Sequence, residues 1–206
     1  SLLLRPPPRS TLVPYATLFR SRLNLPMFNP ACAARAWHAL QDRDSQLALR
    51  VKPYLDHLLD WDCTNDLDTT QTLLCMQWYI ELYGRGYPVE TLKPEFIENP
   101  DLKFEALVTA AEKLEALYGD WRVPWGQVSR MQRPVNVANP RAAPFTESEP
   151  SIPCTGVPGP LGVAFTVYYT APTPERKTQF AYVGGSFMGV YEFGADEVQA
   201  ATLLQF

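Results

Sequence analysis

The chain has 206 residues, 46 % apolar and 19 % charged, with a net charge of −4. These values describe a globular polypeptide large enough for one core rather than a disordered one. No Lys/Arg run is present and no apolar stretch approaches the roughly 20 residues of a membrane helix, so neither nucleic acid nor a membrane is expected as a partner.

Proline is over-represented, with 20 residues against a usual ~5 %. Long extended connections are therefore expected. The four cysteines are Cys32, Cys63, Cys75 and Cys154, with no C-x-x-C pair, and the only histidines are His38 and His57. A zinc site has little support from that set. Two alternatives stand for the cysteines: isolated thiols partly in the core, or one disulfide, for which Cys63 with Cys75 is a candidate pair.

In chain order, Arg5–Ser21 comes first, "RPPPRSTLVPYATLFRS". It has no hydrophobic period, and Pro6, Pro7 and Pro8 break the only apolar core a signal peptide could use. It resembles the translation of a short-read sequencing adapter, RRPPRSTLFPYTTLFRS, at fourteen of seventeen positions, departing at Pro6, Val13 and Ala16. Residues 1–21 are therefore expected to be a non-native segment. The remaining 22–206 are expected to be a fragment of a longer protein, because "ATLLQF" stops inside an apolar run.

Residues 22–132 read mainly as helix. "DSQLALRVKPYLDHLLDW" puts Leu47, Val51, Leu55, Leu58 and Leu59 on one face, with Asp44 or Ser45 as cap. Pro53 inside it should kink or split the helix. A second helix is expected over about Thr69 to Tyr83, capped by Asp68 or Thr69. Leu73, Leu74, Gln77, Ile80, Leu82 and Tyr83 come next in its pattern, and Gly84 and Gly86 end it. A third begins at the Asn99 cap with Pro100 in its first turn. Its apolar stripe is Leu102, Leu107, Ala110, Ala111, Leu114 and Leu117, and Gly119 supplies the left-handed residue after it.

Residues 133–160 form a long Pro-rich loop that must lie on a surface built by other elements. In 161–206 the period changes to two. Strands are expected at Gly162–Thr170, Thr178–Gly184, Ser186–Phe193 and Glu197–Phe206, with Gly184-Gly185 as a tight hairpin turn between the middle two. Helices first and an antiparallel sheet after them make an α+β chain.

Several local patterns invite functional readings that their residues do not sustain. "GGSFMG" lacks the second glycine of a nucleophile elbow at the required place, which Met188 occupies, and Ser186 lies between strands. "DWDCTNDLD" has four aspartates, but counted from Asp60 the calcium-loop positions six and twelve hold Asn65 and Gln71. These read as a solvated loop with helix-capping carboxylates. His57 has no indicated Ser or Cys partner. Trp121 and Trp125, in "YGDWRVPWGQVSR", are expected to pack the helical part onto the later part of the chain rather than to stack a ligand.

In this order, "LLDWDCTNDLDTTQTLLCMQWYIELY", "AAEKLEALYGDWRVPWGQVSRMQRP", "GGSFMGVYEF" and "AATLLQF" resemble the C-terminal part of the large chain of the penicillin acylase family. That family also holds the acyl-homoserine-lactone acylases. The resemblance rests on Leu-x-x-Trp-Asp at Leu58–Asp62, Tyr-Gly-x-Trp-x-x-x-Trp-Gly at Tyr118–Gly126, and Gly-x-Ser at Gly184–Ser186. It covers about residues 40–206.

The resemblance implies a truncated piece of an αββα N-terminal-nucleophile hydrolase, made as a proenzyme and acting on linear amides such as β-lactam side chains or N-acyl homoserine lactones. In such enzymes an N-terminal serine attacks the amide, its own α-amino group is the base, and an asparagine and a backbone N–H hold the oxyanion. Those residues belong to upstream parts of the family's chain, so no catalytic, cofactor-binding or metal residue is assigned here and the fragment should be inactive alone. No cofactor is expected in it; calcium is possible in the parent. The implied partners are the small chain, the N-terminal part of the large chain and a small-molecule amide. The implied location is periplasmic or secreted. The alternative is a non-catalytic carbohydrate- or peptide-binding module using Trp121, Trp125, Tyr168 and Tyr169.

Overall fold

The computed structural model describes residues 23, 28–86, 100–132, 145–161, 166–184, 187–193 and 198–204, the last two stretches as backbone. Residues 1–21, Asn99, Gly185 and Ser186 lie outside the described residues. The chain is α+β, with its long helices in the first half and its strands later. The helices are α1 (Pro30–Arg43), α2 (Ser45–Leu59), α3 (Gln71–Gly84), α4 (Pro100–Tyr118) and the short α5 (Trp125–Val128). The strands are β1 (Ser129–Met131), β2 (Ile152–Pro153), β3 (Val167–Tyr169), β4 (Gln179–Gly184), β5 (Phe187–Phe193) and β6 (Val198–Leu204).

Local sequence explains the helix starts. Asn29 accepts a hydrogen bond from Cys32 N at 3.1 Å ahead of Pro30, the pairing of cap and first-turn proline that suits a helix start. Asp44 caps α2 by accepting from Leu47 N at 2.9 Å. Helix α4 ends at Gly119, which has φ +86° and donates its N–H to Glu115 O at 2.8 Å. A left-handed residue at that place is what a side chain would resist and glycine permits.

Three expectations about the helices need correction. Pro53 does not split α2, which runs unbroken from Ser45 to Leu59. Pro53 and Leu49, whose carbonyl loses its partner, both face solvent, while Leu47, Val51, Leu55 and Leu58 are buried on the other side. Burial of that face outweighs the roughly 3 kcal/mol a proline costs inside a helix. Neither Asp68 nor Thr69 caps α3. Its N-cap is Thr70, which makes no side-chain cap bond, and the Thr69 hydroxyl instead accepts from Asp66 N at 3.3 Å. Nor is α3 amphipathic as its pattern suggested. Ile80 and Tyr83 are exposed, whereas Thr72 through Met76, Trp78 and Leu82 are buried.

Helix α1 packs on α2, α2 on α4, and α4 on α3. The core between them is built from Leu40, Leu55, Leu58, Leu74, Trp78, Phe104 and Leu107, all essentially inaccessible. Trp78 donates its indole N–H to Lys103 O at 2.8 Å, so the largest side chain in that core has its polar atom satisfied. Val157, from the segment expected to be loop, and Leu161, just after it, reach the same core.

The sheet is mixed rather than antiparallel. Its order is β2-β1-β4-β3, and β1 pairs parallel with β4 through Ser129↔Gln179 and Arg130↔Phe180. Strand β2 lies within the predicted 133–160 loop and pairs antiparallel with β1. Among the described residues no pairing joins β4 to β5, and Gly185 of the expected turn lies outside them. Strand β4 pairs with β1 and β3, and β5 pairs with β6 along its whole length, from Phe187↔Leu204 to Phe193↔Val198. The β3–β4 pair carries a bulge at Tyr168/Tyr169. A second, smaller apolar cluster of Cys154, Val167 and Ala181, with Met131 and Tyr169 against it, lies on this sheet.

Candidate functional site

The segment from Tyr118 to Arg130 joins the helices to the sheet. After Gly119 the chain makes a turn in which Arg122 N donates to Asp120 Oδ1 at 2.9 Å. It then runs beside the 65–72 turn that links α2 to α3. Trp125 N donates to Thr69 O at 3.0 Å and Gly126 N to Leu67 O at 2.7 Å. Gly126 has an ordinary φ, but a Cβ there would lie 2.9 Å from Leu67 Cβ and 3.1 Å from Leu67 O. Space, not backbone torsion, demands this glycine.

Trp125 is fully buried and meets the Tyr169 ring edge-to-face with centroids 5.3 Å apart. It ties the helical core to strand β3. Trp121 is half-buried. It packs edge-to-face against Tyr54 and His57 at centroid distances of 5.0 and 5.1 Å, and the Arg122 guanidinium lies 4.7 Å from its ring centre. The two tryptophans therefore do different work: Trp125 sits inside, and Trp121 covers the end of α2.

His57 is half-buried, with Nε2 at 2.9 Å from Thr70 Oγ1. Its pKa is lowered, first by burial and then by Arg122, while Asp60 and Asp120 oppose the shift. The neutral ring and the hydroxyl fasten the end of α2 to the start of α3. Gln71 Nε2 adds a bond to His57 O at 3.4 Å.

The acidic turn is a set of local bonds. Asp62 Oδ1 accepts from Thr64 N at 2.8 Å and from Thr64 Oγ1 at 2.6 Å, and Asp60 is the C-cap of α2. Trp61 is buried and donates Nε1–H to Thr64 O at 2.9 Å. Among the described residues no group of three or more His, Cys, Asp or Glu side chains is placed to hold a metal ion.

Sequence reasoning missed a buried polar knot where β1, β2 and β3 meet. Ser129 Oγ lies 2.8 Å from Trp125 O and 2.6 Å from Cys154 O, so one hydroxyl proton serves two carbonyls. Tyr169 OH donates toward Thr155 O at 3.2 Å and Gly156 O at 3.1 Å. Burial raises the pKa of Cys154 and of Tyr169. A protonated, buried thiol is a poor nucleophile, and the knot is structural. Only the i, i+4 spacing of Trp125 and Ser129 hinted at it. All four cysteines are free thiols, so Cys63 and Cys75 are not bridged, and burial pushes the Cys75 thiol strongly up.

No protein-family model and no curated protein matches the chain.

Among the described residues no helix is long and apolar enough to cross a membrane. Of the four aromatics in the binding-module alternative, Trp125 is buried and Tyr169 is packed beneath it. Trp121 is half-covered, and Tyr168 is the most open, at 38 % exposed.

Proposed function

We propose that residues 22–206 are scaffold from the large chain of a penicillin acylase-like hydrolase that cleaves linear amides. The observation that supports this is where the resembling residues lie. Leu58 and Trp61 of the first stretch and Trp125 and Gly126 of the second are buried, and the turn after Trp61 is joined to the second stretch by the Thr69 and Leu67 carbonyl bonds. Residues that hold two segments together are those a scaffold must keep.

In this reading the serine nucleophile, its α-amino base and the oxyanion asparagine come from a separate portion of the enzyme. An α-amino group suits the base role because its ordinary pKa, about 7.7–8.0, lies near neutral pH. The serine proton passes to that amine as the hydroxyl oxygen bonds to the amide carbon. Collapse of the adduct releases the amine product, which takes up the proton held by the α-amino group, and water then frees the acid. No residue of the present chain takes part in those transfers. Which acyl chain or amine the enzyme prefers would be set where those groups lie. A periplasmic or secreted location goes with the same proposal.

The test is turnover of a chromogenic phenylacetyl or long-acyl amide by the purified chain and by its Ser186→Ala variant. The expected result is none in either, with hydrolysis appearing when the chain is co-produced with an upstream segment that begins its large chain with serine. Turnover by the chain alone that Ser186→Ala abolishes would replace this proposal with a nucleophile at Ser186.

A further inference from the structure

The end of α2 is closed by a cluster in which one group can change charge near neutral pH. Trp121 covers it, with the Tyr54 and His57 rings meeting the indole at 87° and 85° and at centroid distances of 5.0 and 5.1 Å. The Arg122 guanidinium carbon lies 4.7 Å from the same ring centre. Arg122 is 58 % exposed and its Nε stands 3.8 Å from Asp120 Oδ1, a surface pair that holds it weakly.

Among the described residues the charged groups acting on His57 are Arg122 and Asp120 from the turn after α4 and Asp60 from the end of α2. The start of α3 presents Thr70 and Gln71, both uncharged, and the carboxylates of Glu112 and Glu115 on α4 act on Tyr54. Burial, and then Arg122, disfavour a proton on His57, and together they outweigh the two aspartates.

Thr70 and Trp121 respond differently to such a proton. An unprotonated Nε2 accepts from the Thr70 hydroxyl, and a protonated one donates to it. The hydroxyl can then turn toward Gln71 Oε1, 3.5 Å away, so the bond to α3 survives. On the other side the new positive charge meets the Arg122 guanidinium in a half-buried setting, where like charges are poorly screened.

We propose that protonation of His57 releases Trp121 and Arg122 from the end of α2, making the 118–122 turn an acid-opened latch. The opening is local, because Trp125 and Gly126 stay fastened to Thr69 and Leu67. A released ring with an ordinary pKa of about 6.5 can shift the balance toward the open form by up to about 30-fold between about pH 7.5 and 5. An opening present in about 3 % of molecules would then reach about half. The latch needs only this junction and is independent of the acylase proposal.

The experiment follows the nuclear Overhauser contact between the Trp121 and Tyr54 rings from about pH 7.5 to 5, with the His57 Cε1 proton marking titration and circular dichroism reporting helix content. Tyr54 carries no charge in this range, so the contact reads distance and not protonation. It should be lost with the His57 midpoint while helix content holds. His57→Gln, which keeps a partner for the Thr70 hydroxyl, should retain the contact throughout. Arg122→Gln, which removes the repelling charge, should raise the His57 midpoint and retain the contact to lower pH. If His57→Gln does not fold, the unsubstituted chain and Arg122→Gln decide. A contact that persists to about pH 5, the same loss in His57→Gln, or loss only together with helix content would overturn the proposal.

Discussion

Replacing Gly126 by alanine tests the junction at its narrowest point. The added methyl carbon would sit 2.9 Å from Leu67 Cβ, 3.1 Å from Leu67 Cδ2 and 3.1 Å from Leu67 O. Rotating the leucine relieves only the Cδ2 contact. The Cβ and the carbonyl move only with the backbone, and the same carbonyl accepts from Gly126 N at 2.7 Å. The segments must separate by several tenths of an ångström and that bond must lengthen. Overpacking of this kind costs about 1–3 kcal/mol, and a weakened hydrogen bond adds about 0.5–1.5 kcal/mol. Against this, alanine gains about 0.5–1 kcal/mol over glycine in the helical turn. The net expectation is a destabilisation of about 1–3 kcal/mol, or a Tm lowered by roughly 2–12 °C for a chain of this size. Urea unfolding followed by tryptophan emission and by circular dichroism measures it. A cycle with Leu67→Gly, which removes the offending Cβ, should show favourable coupling between the two substitutions. A Gly126→Ala chain as stable as its parent, or more so, would mean that the two segments do not approach as described.

Trp125→Ala should destabilise by about 3–5 kcal/mol, since the ring is fully buried against the helices and Tyr169, and the remaining emission should shift to the red. A loss under about 1 kcal/mol would contradict that burial. Tyr169→Phe should cost about 1–3 kcal/mol in urea melts, because the Thr155 and Gly156 carbonyls would lose a buried donor. His57 has a folded pKa below its unfolded value of about 6.5, so the folded state binds fewer protons. Its contribution should be complete above about pH 6.5, decline as pH falls below that value, and stop declining below the folded pKa. Urea melts between about pH 5 and 8 should show this slope in the unsubstituted chain and less of it in His57→Gln; an unchanged slope would assign the titration elsewhere.

Features that depend on neighbours in the chain were legible in the residues alone. The 3.6-residue spacing of Leu47, Val51, Leu55 and Leu58, the Asp44 cap and the Gly119 stop defined two helices. The β-branched and aromatic runs after residue 161 located β4, β5 and β6, and the two together made the chain α+β. Crowded, poorly solvated aromatics foretold the burial of Trp125. Features that depend on residues far apart were settled only by the assembled fold. Strand β1 is three residues without alternation, and only its parallel partner β4, some fifty residues on, makes it a strand. The choice of β6 over β4 as partner for β5 turns on a whole register of pairs, which a Gly-Gly signal between neighbours cannot specify. Pro53 was judged by its local cost, but the buried face of α2 outweighs it. Gly126 looked like one letter of a motif until Leu67, fifty-nine positions earlier, was brought within contact of where its side chain would be. The buried carbonyls around Ser129 and Tyr169 exist as a cluster only once β1, β2 and β3 are assembled. Propensity and capping act over a few residues and can be read along the chain; pairing, close approach and polar satisfaction act across space, where contacts between distant segments decide the balance.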